Sequence, residues 1–109
     1  MHTTVPAMAK VSVVAKIVAA PGKRDEVVDV LKDVVAATEN EPGTLVYAMN
    51  VEKDSDVIWF FELYADEAAL AAHGGSEAMK AAGPRLADKM GGRPEIIQLT
   101  PVVGKGLPL

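Results

Sequence analysis

The sequence contains no cysteine, which excludes disulfides, thiolate metal ligands and a cysteine nucleophile together. Histidine occurs only as His2 and His73, which argues against a histidine-rich metal site, and no metal is expected. No apolar run approaches the roughly 18 residues needed to cross a bilayer. The opening MHTTVPAMAK lacks a basic segment followed by an apolar stretch, so it does not read as a signal peptide. A cytoplasmic protein with no membrane partner is the expectation. The net charge is only −4 and the basic residues are scattered, so no nucleic-acid partner is expected either.

What is present is globular in composition, with 50% apolar and 24% charged residues over a length of 109. That length suits one domain with a modest core. Residues 1–9 carry no pattern for burial and are expected to fray. Lys10 to Val18 (KVSVVAKIV) is β-branched and reads as a strand, broken by Pro21 and Gly22. Val27, Val30, Leu31, Val34, Val35 and Thr38 then form one stripe of an amphipathic helix, with Asp25, Glu26, Asp29, Lys32 and Asp33 on its wet side. Pro42 disfavours helix at Glu41 and ends it. Thr44 to Val51 and Val57 to Tyr64 read as two strands of a hairpin joined by a polar loop.

Asp66 is placed to start a helix through His73, which Gly74 and Gly75 stop. Ser76 is a natural N-cap for a further helix reaching Met90, with Gly83-Pro84 predicted to kink or split it. Pro94 to Leu99 is the last strand. The order β-α-β-β-α-β predicts an α+β, ferredoxin-like fold over residues 10–100, a four-stranded antiparallel sheet with its helices on one face. Both faces of VSVVAKIV and VIWFFELY are largely apolar, whereas a half-solvated sheet alternates apolar with polar. A second copy packed sheet to sheet is the expected cover, giving a homodimer. Residues 101–109, apolar at Val102, Val103 and Leu107, are expected to pack on the partner.

Alternation groups Ile58, Phe60, Glu62 and Tyr64 on one face of the third strand, and Trp59, Phe61 and Leu63 on the other. Trp59 and Phe61 are assigned to the core under the helices. Glu62 in an apolar row must be paired, solvated or at a cavity, because an unpaired buried carboxylate is costly. It either pairs with Lys16, Arg85 or Arg93, or acts from a pocket as a general base with a raised pKa. Tyr64 at the strand end either packs or hydrogen-bonds a substrate oxygen. His73 in a last helical turn either caps the helix dipole or transfers protons. If Glu52 pairs with Val57, Tyr47 stands opposite Glu62 and Met49 opposite Phe60; a slip by one reverses this. Met79 is a core residue that could line a pocket, and Arg85 is a surface charge or an anion clamp.

Three stretches carry a resemblance to a known family. They are PGK at Pro21 to Lys23, EPGTLVY at Glu41 to Tyr47, and ELYADEAALAAH at Glu62 to His73 followed by Lys80-Ala81. In order over about residues 10–100 the chain resembles the antibiotic biosynthesis monooxygenases, which are small dimeric α+β barrels. The resemblance implies a cofactor-free enzyme that oxidises a small phenol or hydroquinone with dioxygen. Glu62, Tyr64 and His73 are then the implied catalytic groups; the reading of strand faces, register and the last helix adds Tyr47, Met49, Phe60, Met79 and Arg85 as candidate substrate contacts. The polyketide-oxidising branch has an Asn and a Trp where this chain has Phe60 and Tyr64, and a tyrosine at Leu70. The haem-degrading branch differs at Val14 or Ala15, Tyr64 and Gly83. Many relatives carry a second helix histidine at the place of Ala78. Two other functions suit the same residues, an isomerase enolising a small hydroxyketone and a dimeric module that binds a small aromatic without turnover.

Overall fold

The computed structural model describes residues 9–109; the fraying expected of residues 1–8 lies outside the described residues. The elements are β1 (Val11–Val18), α1 (Arg24–Ala37), a 3-10 turn (Thr38–Asn40), β2 (Thr44–Val51), β3 (Val57–Tyr64), α2 (Glu67–Gly74), α3 (Glu77–Leu86) and β4 (Glu95–Leu99). The strands form one antiparallel sheet in the order β2-β3-β1-β4, and this is the ferredoxin-like α+β plan. Among the described residues no helix is long and apolar enough to cross a membrane.

Local chemistry accounts for each helix. Asp25 and Glu26 in the first turn of α1 favour the positive end of its dipole, and Val27, Val30, Leu31 and Val34 bury one stripe. Thr38 closes that helix, its hydroxyl donating to the Val35 carbonyl at 2.6 Å. Asp66 caps α2 by accepting the Ala69 amide at 2.8 Å, and Ser76 caps α3 by accepting from Met79 at 3.3 Å.

The expected run of this helix on to Met90 is not seen. Pro84 sits inside α3 and the helix stops two residues later, at Leu86. Pro84 has no N–H to offer the preceding turn, so the ladder is already broken there. The chain beyond is stitched to the end of β1 instead, with Ala20 N–H donating to Lys89 O at 2.8 Å and Gly91 N–H to Val18 O at 2.7 Å.

The core lies between the helices and one face of the sheet. Val13, Ala15, Ile58, Phe60 and Tyr64 meet Val27, Val30, Leu31 and Val34 of α1 and Ala82 of α3 there. Trp59 and Phe61 are therefore not the core under the helices, as their pattern had suggested. They point to the opposite face, where Phe61 is 53% exposed and the Lys16 ammonium sits 5.7 Å from the Trp59 ring centroid. Alternation groups residues by face but does not say which face receives the helices.

The hairpin register has Tyr47 opposite Glu62 and Met49 opposite Phe60, with Glu52 N–H donating to Val57 O at 2.9 Å. Near the start of β2 the register shifts: Thr44 stands opposite Tyr64 and Val46 opposite Leu63, so Leu45 is the extra residue of a bulge. Without the bulge Thr44 and Tyr47 would face opposite ways. With it, both share the helix-side face with Glu62 and Tyr64.

Candidate active site

Three segments bring polar groups into the apolar helix-side layer. β3 supplies Glu62 and Tyr64, two residues apart on one face. β2 supplies Tyr47 directly across from Glu62, and the last turn of α2 supplies His73. The turn before β2 adds Glu41, which the sequence showed as the residue before a helix-ending proline and the start of EPGTLVY, with no site role.

The contacts are specific. The fully buried Tyr64 donates its hydroxyl hydrogen to Glu62 Oε1. His73, 5% exposed, has Nδ1 at 2.8 Å from Glu41 Oε1. The same Oε1 accepts the Thr44 hydroxyl at 2.8 Å. The His73 ring lies against both phenols, its centroid 4.6 Å from that of Tyr47 and 5.5 Å from that of Tyr64. Phe60 closes the cluster from below, 4.9 Å from the Tyr47 ring.

Burial dominates the electrostatics. It pushes the Glu62 carboxyl above its ordinary range, offset in part by the Tyr64 hydrogen bond and by the His73 charge. Burial, with the Glu62 and Glu41 carboxylates, raises the Tyr47 phenol. Tyr64 is raised by burial first and then by its hydrogen bond to Glu62. At neutral pH both phenols therefore remain donors, and Glu62 is a more basic carboxylate than one in water. A basic carboxylate beside neutral O–H donors is the equipment for moving a proton from an acidic phenol or carbon acid.

Two cavities reach this cluster from either side of the Glu41–Thr44 segment. One, of about 430 Å³, is bordered by Val35, Thr38, Leu45 and Tyr47; the other, of about 230 Å³, by Ala69, Ala72 and His73. A wide depression of about 790 Å³ at the hairpin end is lined by Arg24, Asp25, Asp54 and Asp56, and none of the cluster's residues borders it. Within it Arg24 pairs with Asp25 at 3.2 Å and donates to the Ser55 carbonyl at 3.1 Å.

Of the residues singled out in the sequence, the fold gathers Tyr47, Phe60, Glu62, Tyr64 and His73. Met49 and Met79 pack against the core as partly buried side chains. Arg85 stays apart, its Nη1 donating to Asp33 Oδ2 at 2.8 Å and tying α3 to α1 on the outer surface. Glu62 pairs with none of Lys16, Arg85 and Arg93; its partner is the Tyr64 hydroxyl. Among the described residues no group of three or more His, Cys, Asp or Glu side chains is placed to hold a metal ion. Glu41 and Thr44 are the two residues that sequence reasoning missed. The EPGT turn leading into a strand was visible, but not the bulge that turns Thr44 inward.

The model of a family described as antibiotic biosynthesis monooxygenase matches residues 10–85. A candidate antibiotic biosynthesis monooxygenase from Caulobacter crescentus is 37% identical, superposes with a TM-score of 0.82, and aligns over 89% of this chain and 93% of its own. A second such candidate, from Bacteroides thetaiotaomicron, is 28% identical with a TM-score of 0.80, over 94% and 98% of the two chains. A Nitrosomonas europaea protein of unknown function, 24% identical with a TM-score of 0.80 over 94% and 98%, shares the fold. No curated protein matches the chain.

Proposed function

The chain belongs to the antibiotic biosynthesis monooxygenase family, and on that premise we propose that it oxidises a small phenolic or hydroquinone-type aromatic with dioxygen, without a bound cofactor. Family membership supports the monooxygenase-type role. The observation that carries the finer reading is the Tyr64–Glu62 hydrogen bond in a desolvated layer, with a second phenol, Tyr47, across the strand.

Glu62 takes a proton from the substrate, and the resulting anion is electron-rich enough to reduce dioxygen. Carbon–oxygen bond formation and return of the proton give a hydroperoxide. Its O–O bond then breaks as the second C–H proton leaves, yielding a carbonyl and one water. In this scheme one CH₂ and one O₂ become C=O and H₂O. Within the same scheme the phenol of Tyr47 holds the substrate oxygen, and the apolar layer keeps bulk water from the anion. The cavity of about 430 Å³ beside Tyr47 falls in the size range of small-molecule sites.

A homodimer is the proposed working unit. On the face away from the helices Phe61 and Ile97 are each 53% exposed and Leu99 is exposed beside them. A second copy, with residues 101–109 reaching across, would cover that row.

The test is dioxygen uptake by chelator-treated, flavin-free protein given anthrones and naphthohydroquinones, read against the autoxidation rate. Uptake above that rate, reduced about a hundredfold or more in Glu62→Gln, is the expected result. A trace that stays at the autoxidation rate across the panel sinks the reading. Solvent deuterium appearing in a hydroxyketone without dioxygen uptake would assign the same groups to an enolising isomerase.

A further inference from the structure

Glu41 belongs to no strand or helix, yet it is the partner of the cluster's only imidazole. Its Oε1 accepts the Thr44 hydroxyl at 2.8 Å and faces His73 Nδ1 at the same distance. A carboxylate oxygen can only accept, so the nitrogen facing it carries the hydrogen. His73 Nδ1–H therefore donates to Glu41, and in the neutral ring the lone pair sits on Nε2. Nε2 has no hydrogen-bond partner among the described residues, and His73 borders the cavity of about 230 Å³.

The carboxylate is held from several directions. Glu41 N–H donates to Thr38 O at 2.9 Å, and Thr44 N–H returns to Glu41 O at 3.0 Å. Ala65 N–H donates to Gly43 O at 2.9 Å, fastening the same turn to the end of β3. The His73 ring, for its part, is packed against Tyr47 and Tyr64. Neither partner can turn away without disturbing the strand start or the phenols.

We infer that Glu41 is a positioning residue that holds His73 as the Nδ1–H tautomer, leaving Nε2 as a free proton acceptor beside the cluster. What that acceptor does rests on the acid–base reading above, where Glu62 takes the first substrate proton and Nε2 stands as a second acceptor for the proton that leaves later; the tautomer itself does not.

The experiment uses the full chain with ¹⁵N-labelled histidine and long-range ¹H–¹⁵N correlations, His2 being told apart by the spectrum of His73→Ala. In the wild type, His73 is expected to show the Nδ1–H pattern. In Glu41→Leu, which keeps bulk but offers no acceptor, an Nε2–H signal appears. The kcat then falls about ten- to a hundredfold, part of what a placed acid–base group contributes, while KM stays within about twofold. Glu41→Gln, which retains an oxygen at the same reach, recovers most of that loss. An Nε2–H pattern in the wild type overturns the proposal, and so does an unchanged tautomer or kcat in Glu41→Leu. If Glu41→Leu does not fold, the wild-type spectrum decides the tautomer and Glu41→Gln the kinetics. A wild type with the Nδ1–H pattern that switches in Glu41→Leu, but with no turnover in either, sinks the monooxygenase reading and leaves the hold of Glu41 on His73 established.

Discussion

Gly43 lies so close to Ala69 that a Cβ built on Gly43 would stand 2.5 Å from the Ala69 Cβ. This contact seats the turn that carries Glu41 against the helix that carries His73. Gly43→Ala must therefore push α2 outward and pull His73 away from Glu41. The expected cost is that of overpacking, about 1–3 kcal/mol, read by urea denaturation, together with loss of the His73 Nδ1–H signal. A stability within about 0.5 kcal/mol of wild type would show that α2 yields freely and that the contact does not set the site.

Glu62 makes the stability depend on pH in a defined direction. Burial raises its folded pKa, so between the unfolded value near 4.3 and the folded one the native chain binds more protons than the unfolded chain. Stability is therefore lost as pH rises through that window. Glu62→Gln keeps an oxygen for the Tyr64 hydroxyl and removes the titration. Its melting temperature should exceed that of wild type at about pH 8 and converge with it near pH 4. A constant difference between the two proteins across that range would mean that Glu62 is not desolvated.

Tyr64→Phe separates the hydroxyl from the ring. The ring is fully buried and its packing survives, whereas the carboxylate loses its donor. A hydrogen bond to a charged group is worth about 1.5–3 kcal/mol, and that is the expected loss of stability. Because the hydroxyl lowers the Glu62 pKa, its removal should move the carboxyl titration upward. Carbon-13 NMR of the Glu62 carboxyl against pH reads this directly. A titration that stays in place, or moves down, would show that Tyr64 does not govern the base.

Much of this arrangement was legible in the residues. The β-branched runs at Val11–Val18 and Val57–Tyr64 and the Val27–Val34 stripe announced their elements because period and propensity agreed. The four residues between Glu52 and Val57 set the hairpin register, and Tyr47 came to stand opposite Glu62. The failures have physical causes as well. Alternation separated Phe60 and Tyr64 from Trp59 and Phe61 but carried no information about which pair met the helices. A bulge is one unpaired residue, here Leu45, with nothing in composition to mark it, so Thr44 and with it Glu41 went unseen. Pro84 announced a disturbance, but whether a helix bends or stops depends on what waits beyond it. Here that was the backbone of Ala19 and Ala20.

The outward face of the sheet carries the last prediction. Phe61 on β3 and Ile97 on β4 flank Val14 of β1, opposite it on either side, so the three form one transverse apolar row. A two-fold partner would meet this row with its own copy, and each substitution then acts twice. Losing one buried aromatic anchor costs about 2 kcal/mol or more, so Phe61→Lys should weaken association by about 4 kcal/mol, roughly a thousandfold in dissociation constant. Phe61 contributes nothing to the helix-side core, so the variant should fold, as circular dichroism would show. Sedimentation velocity should then find a dimer for the wild type and a monomer for Phe61→Lys at the same concentration. Deletion of residues 101–109 should weaken the dimer less, since it removes only the segment that reaches across. A wild type that sediments as a monomer, or a Phe61→Lys dimer of undiminished strength, would mean that this row is covered by something other than a second copy.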